Sequence, residues 1–214
     1  MEKVKNKSSL LAERTIDLKK YILSDKVSLD SKEFIPLQAA ITILSTTNQT
    51  IKQRIENGEL KEKTFFIIDP VKKTFTGLEI GGVKKLLLFK KDCSDKISQH
   101  VKESALIQKK TSYADTLDAA GMNWRSPPDR KFINKVLQEL SHTSYENTVD
   151  SGHPCLISAV VVSRSENIPT QSFFDDAIAL GLLDYDSSQM EKVEFWEEQL
   201  KLVYAKYGNT NVTK

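Results

Sequence analysis

Residues 34–60, FIPLQAAITILSTTNQTIKQRIENGEL, decide the fold of the N-terminal part of this chain. Apolar side chains recur there at i, i+3, i+4 and i+7, which places them on one face of a helix: Leu37, Ala40, Ile41 and Leu44. Pro36 suits the first turn of that helix. The polar run at 45–48 interrupts the pattern with residues that favour turns and N-caps.

A second short helix is predicted from Gln49, with Ile51 and Ile55 on its inner face. Asn57-Gly58 would end it as a left-handed cap. Two short helices joined by a four-residue polar turn predict a helix-turn-helix. A further helix at residues 9–23 is expected to precede it.

After Leu60 the period changes from helical to alternating. Residues 64–68 are aromatic and β-branched, 69–73 carry turn chemistry, and 74–80 alternate, so a β-hairpin is predicted. In a winged arrangement its lysine-bearing tip would lie over a phosphate backbone. Residues 83–91 fit either a third strand or a short helix.

The order Leu37, Ala40, Leu44, a short turn, Thr50-Ile51, Ile55 and Gly58-Glu59-Leu60 resembles the helix-turn-helix of the mercury-resistance-regulator (MerR) and excisionase families. The resemblance covers about residues 34–68 and implies a module that docks on DNA. The families usually carry an aromatic or Arg-rich recognition helix. The outward face expected here is instead amide-rich: Asn48, Gln49, Lys52, Gln53, Arg54 and Asn57.

Such side chains suit contact with double-stranded DNA. Asn and Gln can pair bidentately with adenine, Arg with guanine, and Lys with phosphates. Lysines on and around the hairpin add predicted phosphate contacts at Lys61, Lys63, Lys72 and Lys73, with Lys84, Lys85, Lys90 and Lys91 beyond it. The alternative is that these lysines only keep an exposed hairpin soluble and unpaired at its edge.

The net charge of +2 conceals an uneven distribution. Residues 1–114 hold 22 Lys and Arg against 14 Asp and Glu, whereas residues 115–200 hold 6 against 15. This asymmetry favours a polyanion-binding front half, although two solvated surfaces of opposite sign would give the same count.

We expect an α+β protein of two domains: a winged helix-turn-helix-like domain at 1–91, a linker at 92–111, a helix-rich α/β domain with a small sheet at 112–208, and a tail at 209–214. In the second domain we predict helices at 112–121, from 127 to about 140, at 171–182 and at 188–207. Residues 155–162 are apolar apart from Ser158 and predict a buried strand, in a sheet that the 64–89 strands could continue.

Chemical signals in this half are few. Arg164 in a loop before a helix starting near Thr170 could hold a phosphate ligand, with a plain surface loop as the alternative. His153 beside Cys155 suggests an activated thiol only under favourable bends. The sequence contains no Gly-rich phosphate loop and no HExxH, so no catalytic residue, metal or cofactor is predicted.

Composition places the chain among cytoplasmic proteins with no membrane span. The longest apolar runs are strand-sized, the basic N-terminus lacks a signal-like apolar core, and the two cysteines show no framework spacing. The leading hypothesis is a DNA-binding regulator or adaptor whose acidic half mediates homodimer or partner contact. The alternatives are an enzyme or effector with its site in the C-terminal half, and a helix-turn-helix that binds protein instead of DNA.

Overall fold

The computed structural model describes residues 7–67 and 73–208, and the side chains of 14–66 and 74–208 within them. The chain is a helix-rich α+β protein with small sheets, which confirms the expected class. Two compact units divide it, Met1–Lys91 and Asp92–Lys214. We call these unit 1 and unit 2.

Unit 1 is built from helices and one sheet. Its elements are α1 (Lys7–Leu23), β1 (Phe34–Pro36), α2 (Leu37–Ile43), α3 (Asn48–Glu56), β2 (Glu62–Ile67), β3 (Lys73–Glu79) and the first part of α4 (Ile80–Leu106). The predicted helices before the hairpin and both hairpin strands are therefore present. Pro36 is the N-cap residue of α2 and not part of its first turn, because residues 34–36 pair as a strand.

The sheet of unit 1 is antiparallel, with strand order β1-β3-β2. The short strand β1 is absent from the sequence-based expectation, because three residues are too few to show a period. Phe34 lies opposite Glu79 and Ile35 opposite Leu78, so β1 ties the chain before α2 to the hairpin. Ile35 and Leu78 are both buried with the helix residues of the unit's core.

Helix α4 replaces the predicted third strand or short helix and most of the predicted linker. The linker prediction at 92–111 is wrong because α4 continues to Leu106 and Thr111–Ser112 form the short strand β4. In unit 2 the helix contributes one row of fully buried apolar side chains, at i, i+4, i+8 and i+12: Cys93, Ile97, Val101 and Ala105. These side chains are small or medium-sized and separated by polar residues, so the apolar signal in sequence is weak.

Unit 2 packs its remaining helices around a buried central segment. They are α5 (Tyr113–Ala119), α6 (Pro127–Glu146), α7 (Gln171–Ala179) and α8 (Gln189–Tyr207), with 3-10 turns at Val149–Ser151 and Ile157–Val160. The four predicted helices are confirmed. Ser112 caps α5, prolines begin α6, and Ser188 with Glu191 forms a capping box on α8.

The predicted strand at 155–162 is wrong for most of its length. Residues 157–160 form a 3-10 turn, and only Val161–Val162 form a strand, β5, which pairs in parallel with β4. Among the described residues these two pairs form a sheet separate from that of unit 1, so the 64–89 strands do not continue it. Residues 155–162 are nevertheless all buried, as their apolar sequence requires.

Side chains of α6, of α8 and of Thr148, which follows α6, satisfy the backbone of this buried segment in place of a strand partner. The Cys155 amide donates to Thr148 Oγ1 at 3.0 Å and the Ile157 amide to Ser144 Oγ at 2.9 Å. The Leu156 amide donates to Gln199 Oε1 at 2.9 Å. A buried backbone amide needs a partner, and here the side chains of Ser144, Thr148 and Gln199 provide it.

Candidate nucleic-acid interface

The turn between α2 and α3 is fixed by local hydrogen bonds. Thr47 is the N-cap of α3, and its Oγ1 accepts from the Thr50 amide at 3.2 Å. Ser45 has a positive φ of 47°, which turns the chain directly after α2. The ammonium of Lys90 donates to the carbonyl of Leu44 at 2.6 Å, at the C-terminal end of α2. Both ends of the turn are therefore anchored.

Helix α3 presents one face to the core and another to solvent. Ile51 is fully buried and Ile55 half-buried. The exposed side chains of the helix are Asn48, Gln49, Lys52 and Gln53, at i, i+1, i+4 and i+5, and Glu56 in its last turn. The structure therefore brings together four of the side chains predicted to form a DNA-reading face.

Arg54 is not part of that face. Its guanidinium forms an ion pair with the Glu59 carboxylate, and its side chain is 30% exposed. Asn57 is exposed and its Nδ2 donates to the same carboxylate at 3.5 Å. The prediction that Arg54 points outward with the others is wrong, because position 54 follows Ile51 by three residues and turns toward the side where Glu59 lies.

The first turn of α3 suits a negative ligand. It contains no acidic residue, so no carboxylate of that turn competes with an anion for the amides ahead of Thr50, whose own amide bonds to Thr47. Lys52 adds a positive charge one turn later on the same face. Amide side chains here can read base edges while amides and the ammonium contact phosphates.

The predicted hairpin lysines divide between described and undescribed positions. Lys61 and Lys63 are exposed, and Lys63 Nζ lies 5.5 Å from the centre of the Phe65 ring. Lys72 lies outside the described residues. Lys73 begins β3, but its side chain is also outside the description.

Lysines of α4 have structural partners. Lys84 is buried and its ammonium donates to the carbonyls of Ser24 at 2.8 Å and Val27 at 2.7 Å. Lys85 is exposed and pairs with Asp30 at 3.3 Å. Lys84 therefore holds the loop after α1 against α4 and is unavailable to phosphates, contrary to the prediction from sequence.

The aromatic residues of the sheet were interpreted from sequence only as strand formers. Phe65 stacks on Phe75 with ring centres 5.0 Å apart, and Phe34 meets Phe65 edge-on at 5.4 Å. The ring of Phe65 and the Cβ of Phe34 lie over Gly77, where an added Cβ would lie only 3.0 and 3.1 Å from them and would crowd both. Phe66, on the opposite face of β2, is 75% exposed. Strand alternation in the sequence predicts that Phe65 and Phe66 point to opposite faces of the sheet. Only the structure shows that the core ends before it reaches Phe66.

In unit 2, Arg164 and Thr170 are both engaged by residues at the start of α5. Arg164 Nε donates to Ser112 Oγ at 3.2 Å, and its guanidinium pairs with Asp115. The hydrogen bond from Ser112, followed by the contacts with Arg164, lowers the pKa of Asp115. Thr170 Oγ1 donates to the Tyr113 hydroxyl at 2.8 Å.

These contacts give Arg164 and Thr170 a bracing role on α5. The suggested thiol chemistry has no support in the geometry, because Cys155 is buried and burial raises the pKa of its thiol while His153 is exposed.

Among the residues that the structure describes, no cluster of three or more His, Cys, Asp or Glu side chains is placed to hold a metal ion. Within the same residues, no helix has the length and apolar character needed to cross a membrane.

Comparison with known proteins gives no match: no protein-family model fits the chain, and neither the curated proteins nor the solved structures include one that is significantly similar to it.

Proposed function

We propose that unit 1 is a winged helix-turn-helix that binds double-stranded DNA, and that the protein is a DNA-binding regulator or adaptor. The observation that carries the proposal is the exposed face of α3, with Asn48, Gln49, Lys52 and Gln53 outward while Ile51 is fixed in the core. A helix held in this way can enter the major groove without rearrangement. The resemblance of residues 34–68 to the MerR and excisionase families supports the same function.

Two further features support DNA as the ligand. The antiparallel hairpin β2-β3 follows α3 after a short connection, with Lys61 exposed just before its first strand and Lys63 exposed on it. The front of the chain also has the positive balance that phosphate contacts require. The hairpin serves as the wing, contacting the backbone beside the groove that α3 reads.

Unit 2 supplies a different surface. It carries 18 acidic against 13 basic side chains, with the excess arising in residues 115–200, a balance that disfavours contact with DNA phosphates. We assign this unit to self-association or to contact with a protein partner. Sedimentation of the full chain at several concentrations separates the two. The sedimentation coefficient rises with concentration if the chain forms a homodimer, and it stays constant if the chain is a monomer that binds another protein.

Cys93 and Cys155 are free and buried, which suits a protein of the cytoplasm.

Binding is tested by fluorescence anisotropy of a labelled mixed-sequence duplex across salt concentrations. The affinity should fall steeply with salt, and Lys52→Ala should weaken binding to all sequences and reduce the salt slope by about 1. Lys131→Ala is the charge-matched control, because Lys131 is exposed on α6 of unit 2. Binding by the wild type that is insensitive to salt would contradict phosphate-led recognition.

Base readout is tested separately at Gln53. A preferred site is first selected from a random pool of duplexes with the wild type. Gln53→Ala should leave the salt slope unchanged and should reduce the preference for one base pair of that site by about 1–3 kcal/mol. If Lys52→Glu leaves DNA affinity unchanged, the α3 face binds protein, and the DNA proposal is wrong. The enzyme alternative has no comparable support, because Arg164 is engaged by Ser112 and Asp115.

A further inference from the structure

The outward side of α4 repeats with the period of a helix that pairs with another helix. Exposed side chains follow one another there in alternating steps of four and three residues: Leu88, Asp92, Asp95, Gln99, Lys102 and Leu106. An average step of 3.5 residues keeps a seam turned toward one partner helix, as in coiled coils. At a rise of 1.5 Å per residue the row is about 27 Å long. The helix can therefore offer a continuous seam to a second helix.

The two ends of this row are apolar. Leu88 is 39% exposed and Leu106 is 44% exposed. Leu106 also lines a groove of about 560 Å³ that lies along α4 from Asp95 onward, with Tyr207 at the end of α8 on its border. A groove beside an exposed helix gives a second helix a concave surface to lie in, and covering the apolar ends is favourable.

The charged side chains between these ends are complementary to those of a second copy. In an antiparallel pair of α4 helices with its twofold axis level with Ile97, positions equally far from Ile97 on opposite sides face each other. Asp92 then faces the partner's Lys102. In the same register Leu88 faces the partner's Leu106. A single register thus joins opposite charges and also pairs the apolar ends.

A second pair of opposite charges flanks the first, because Lys91 faces the partner's Glu103 in this register. Among the residues that the structure describes, neither Lys91 nor Lys102 forms an ion pair, so both ammonium groups are available to a second copy. The carboxylate of Asp92 contacts the ammonium of Lys96 at 2.7 Å within the helix. A carboxylate accepts several hydrogen bonds, so this contact leaves room for the partner's lysine.

We propose that the outward face of α4 is a homodimer interface, in which two copies pair antiparallel about an axis level with Ile97. This inference rests on the proposed function in one respect, the assignment of a partner-binding surface, and it names a second copy as that partner. Parallel pairing is disfavoured because it places Asp92 against the partner's Asp92 and Lys102 against the partner's Lys102. A single pair of helices makes a small interface, so the dimer should be weak.

Sedimentation velocity of the full chain, from micromolar to near-millimolar concentration, tests the pairing through charge reversals. The sedimentation coefficient of the wild type should rise with concentration. Asp92→Lys and Lys102→Asp should each raise the dissociation constant about tenfold or more, because each reversal sets like charges against each other at both ends of the twofold interface. The variant that carries both reversals should dimerise as the wild type does, because opposite charges again face each other.

Mixing the two single variants separates contact between copies from damage to the fold. Neither should dimerise alone at a concentration where the wild type does, but their equimolar mixture should, because every charged contact across the interface then joins opposite charges. The double variant still lacks the contact of Asp92 with Lys96, so helix stability cannot explain its recovery. Lys131→Asp, on the exposed side of α6, changes the net charge as Lys102→Asp does and should dimerise as the wild type does.

Four results would overturn this interface: a wild type that stays monomeric, single reversals that dimerise normally, no recovery in either the mixture or the double variant, and equal weakening by Lys131→Asp. All four leave DNA binding by α3 standing, since the assay contains no DNA. Conversely, a chain that dimerises as described but binds no duplex DNA keeps the interface and refutes the proposed function. Far-UV circular dichroism checks that each variant is folded.

Discussion

Replacing Gln199 by methionine should destabilise unit 2 without leaving a cavity. Gln199 is 4% exposed on α8, and its amide bonds twice to the buried segment before the 3-10 turn. Its Oε1 accepts from the Leu156 amide at 2.9 Å, and its Nε2 donates to the Pro154 carbonyl at 3.3 Å. Methionine has a similar volume and shape, so the change removes the hydrogen bonds while largely keeping the packing.

The expected loss follows from the two bonds. The Leu156 amide becomes a buried donor without an acceptor, which costs about 1–3 kcal/mol. The bond to Pro154 is longer and partly solvated, and its loss costs about 0.5–1.5 kcal/mol. Together they predict that Gln199→Met lowers the free energy of unfolding by about 2–4 kcal/mol. The exposed Gln189→Met at the start of the same helix should stay within about 0.5 kcal/mol of the wild type.

Tryptophan fluorescence is a selective probe for this experiment, because both tryptophans, Trp124 and Trp196, belong to unit 2. Urea unfolding followed by fluorescence gives the stability change, and hydrogen exchange of the Leu156 amide reports the lost bond directly. Equal midpoints for Gln199→Met and Gln189→Met would refute the view that side chains of α6 and α8 replace a strand partner for residues 154–157.

Three further changes test other parts of the structure. Thr47→Ala should destabilise unit 1 by about 1 kcal/mol by removing the cap of α3, and Thr47→Ser should retain most of that, as measured by thermal unfolding followed by circular dichroism; equal losses would contradict a capping role. Ile97→Ala should cost about 2–5 kcal/mol in unit 2, with Ile97→Val costing about 0.5–1.5, because α4 buries this side chain completely; a loss below 1 kcal/mol for alanine would place it outside the core. Ser112 and then Arg164 lower the pKa of Asp115, so its ionised form stabilises the folded state at neutral pH and this stability is lost as pH falls through the lowered pKa. Both members of the ion pair are more than half exposed, so Asp115→Asn should lower the free energy of unfolding by at most about 1 kcal/mol at pH 7. In urea titrations this difference from the wild type should disappear between about pH 5 and 2. A difference that grows in acid would contradict a stabilising role for the ionised Asp115.

Local sequence was sufficient wherever a feature depends on residues within one or two turns. The period of residues 37–44 identified Ala40 and Leu44 as buried, although Leu37 and Ile41 are only half-buried and Ile43, which the period left out, is buried. Asn57-Gly58 marked the end of α3, where Gly58 adopts a positive φ of 76°. The same reasoning identified the outward face of α3, because the positions of Ile51 and Ile55 leave only one face for solvent.

Tertiary structure decided what depends on distant partners. Arg54 was placed on the outward face by its chemistry, yet it pairs with Glu59 in the loop that follows the helix. Phe66 and Leu78 share one face of the hairpin, and only the extent of the core makes the first exposed and the second buried. A sequence period shows which residues share a face, but not where along that face the packing ends.

The apolar run at 155–162 shows the same limit most clearly. Its composition determined that it would be buried, and it is. Its conformation was set by the side chains of Ser144, Thr148 and Gln199, which accept hydrogen bonds from its amides, Gln199 from a helix some 43 residues further along the chain. Burial is a property of the side chains themselves, whereas the backbone conformation of a buried segment depends on which groups the rest of the fold offers to its amides and carbonyls.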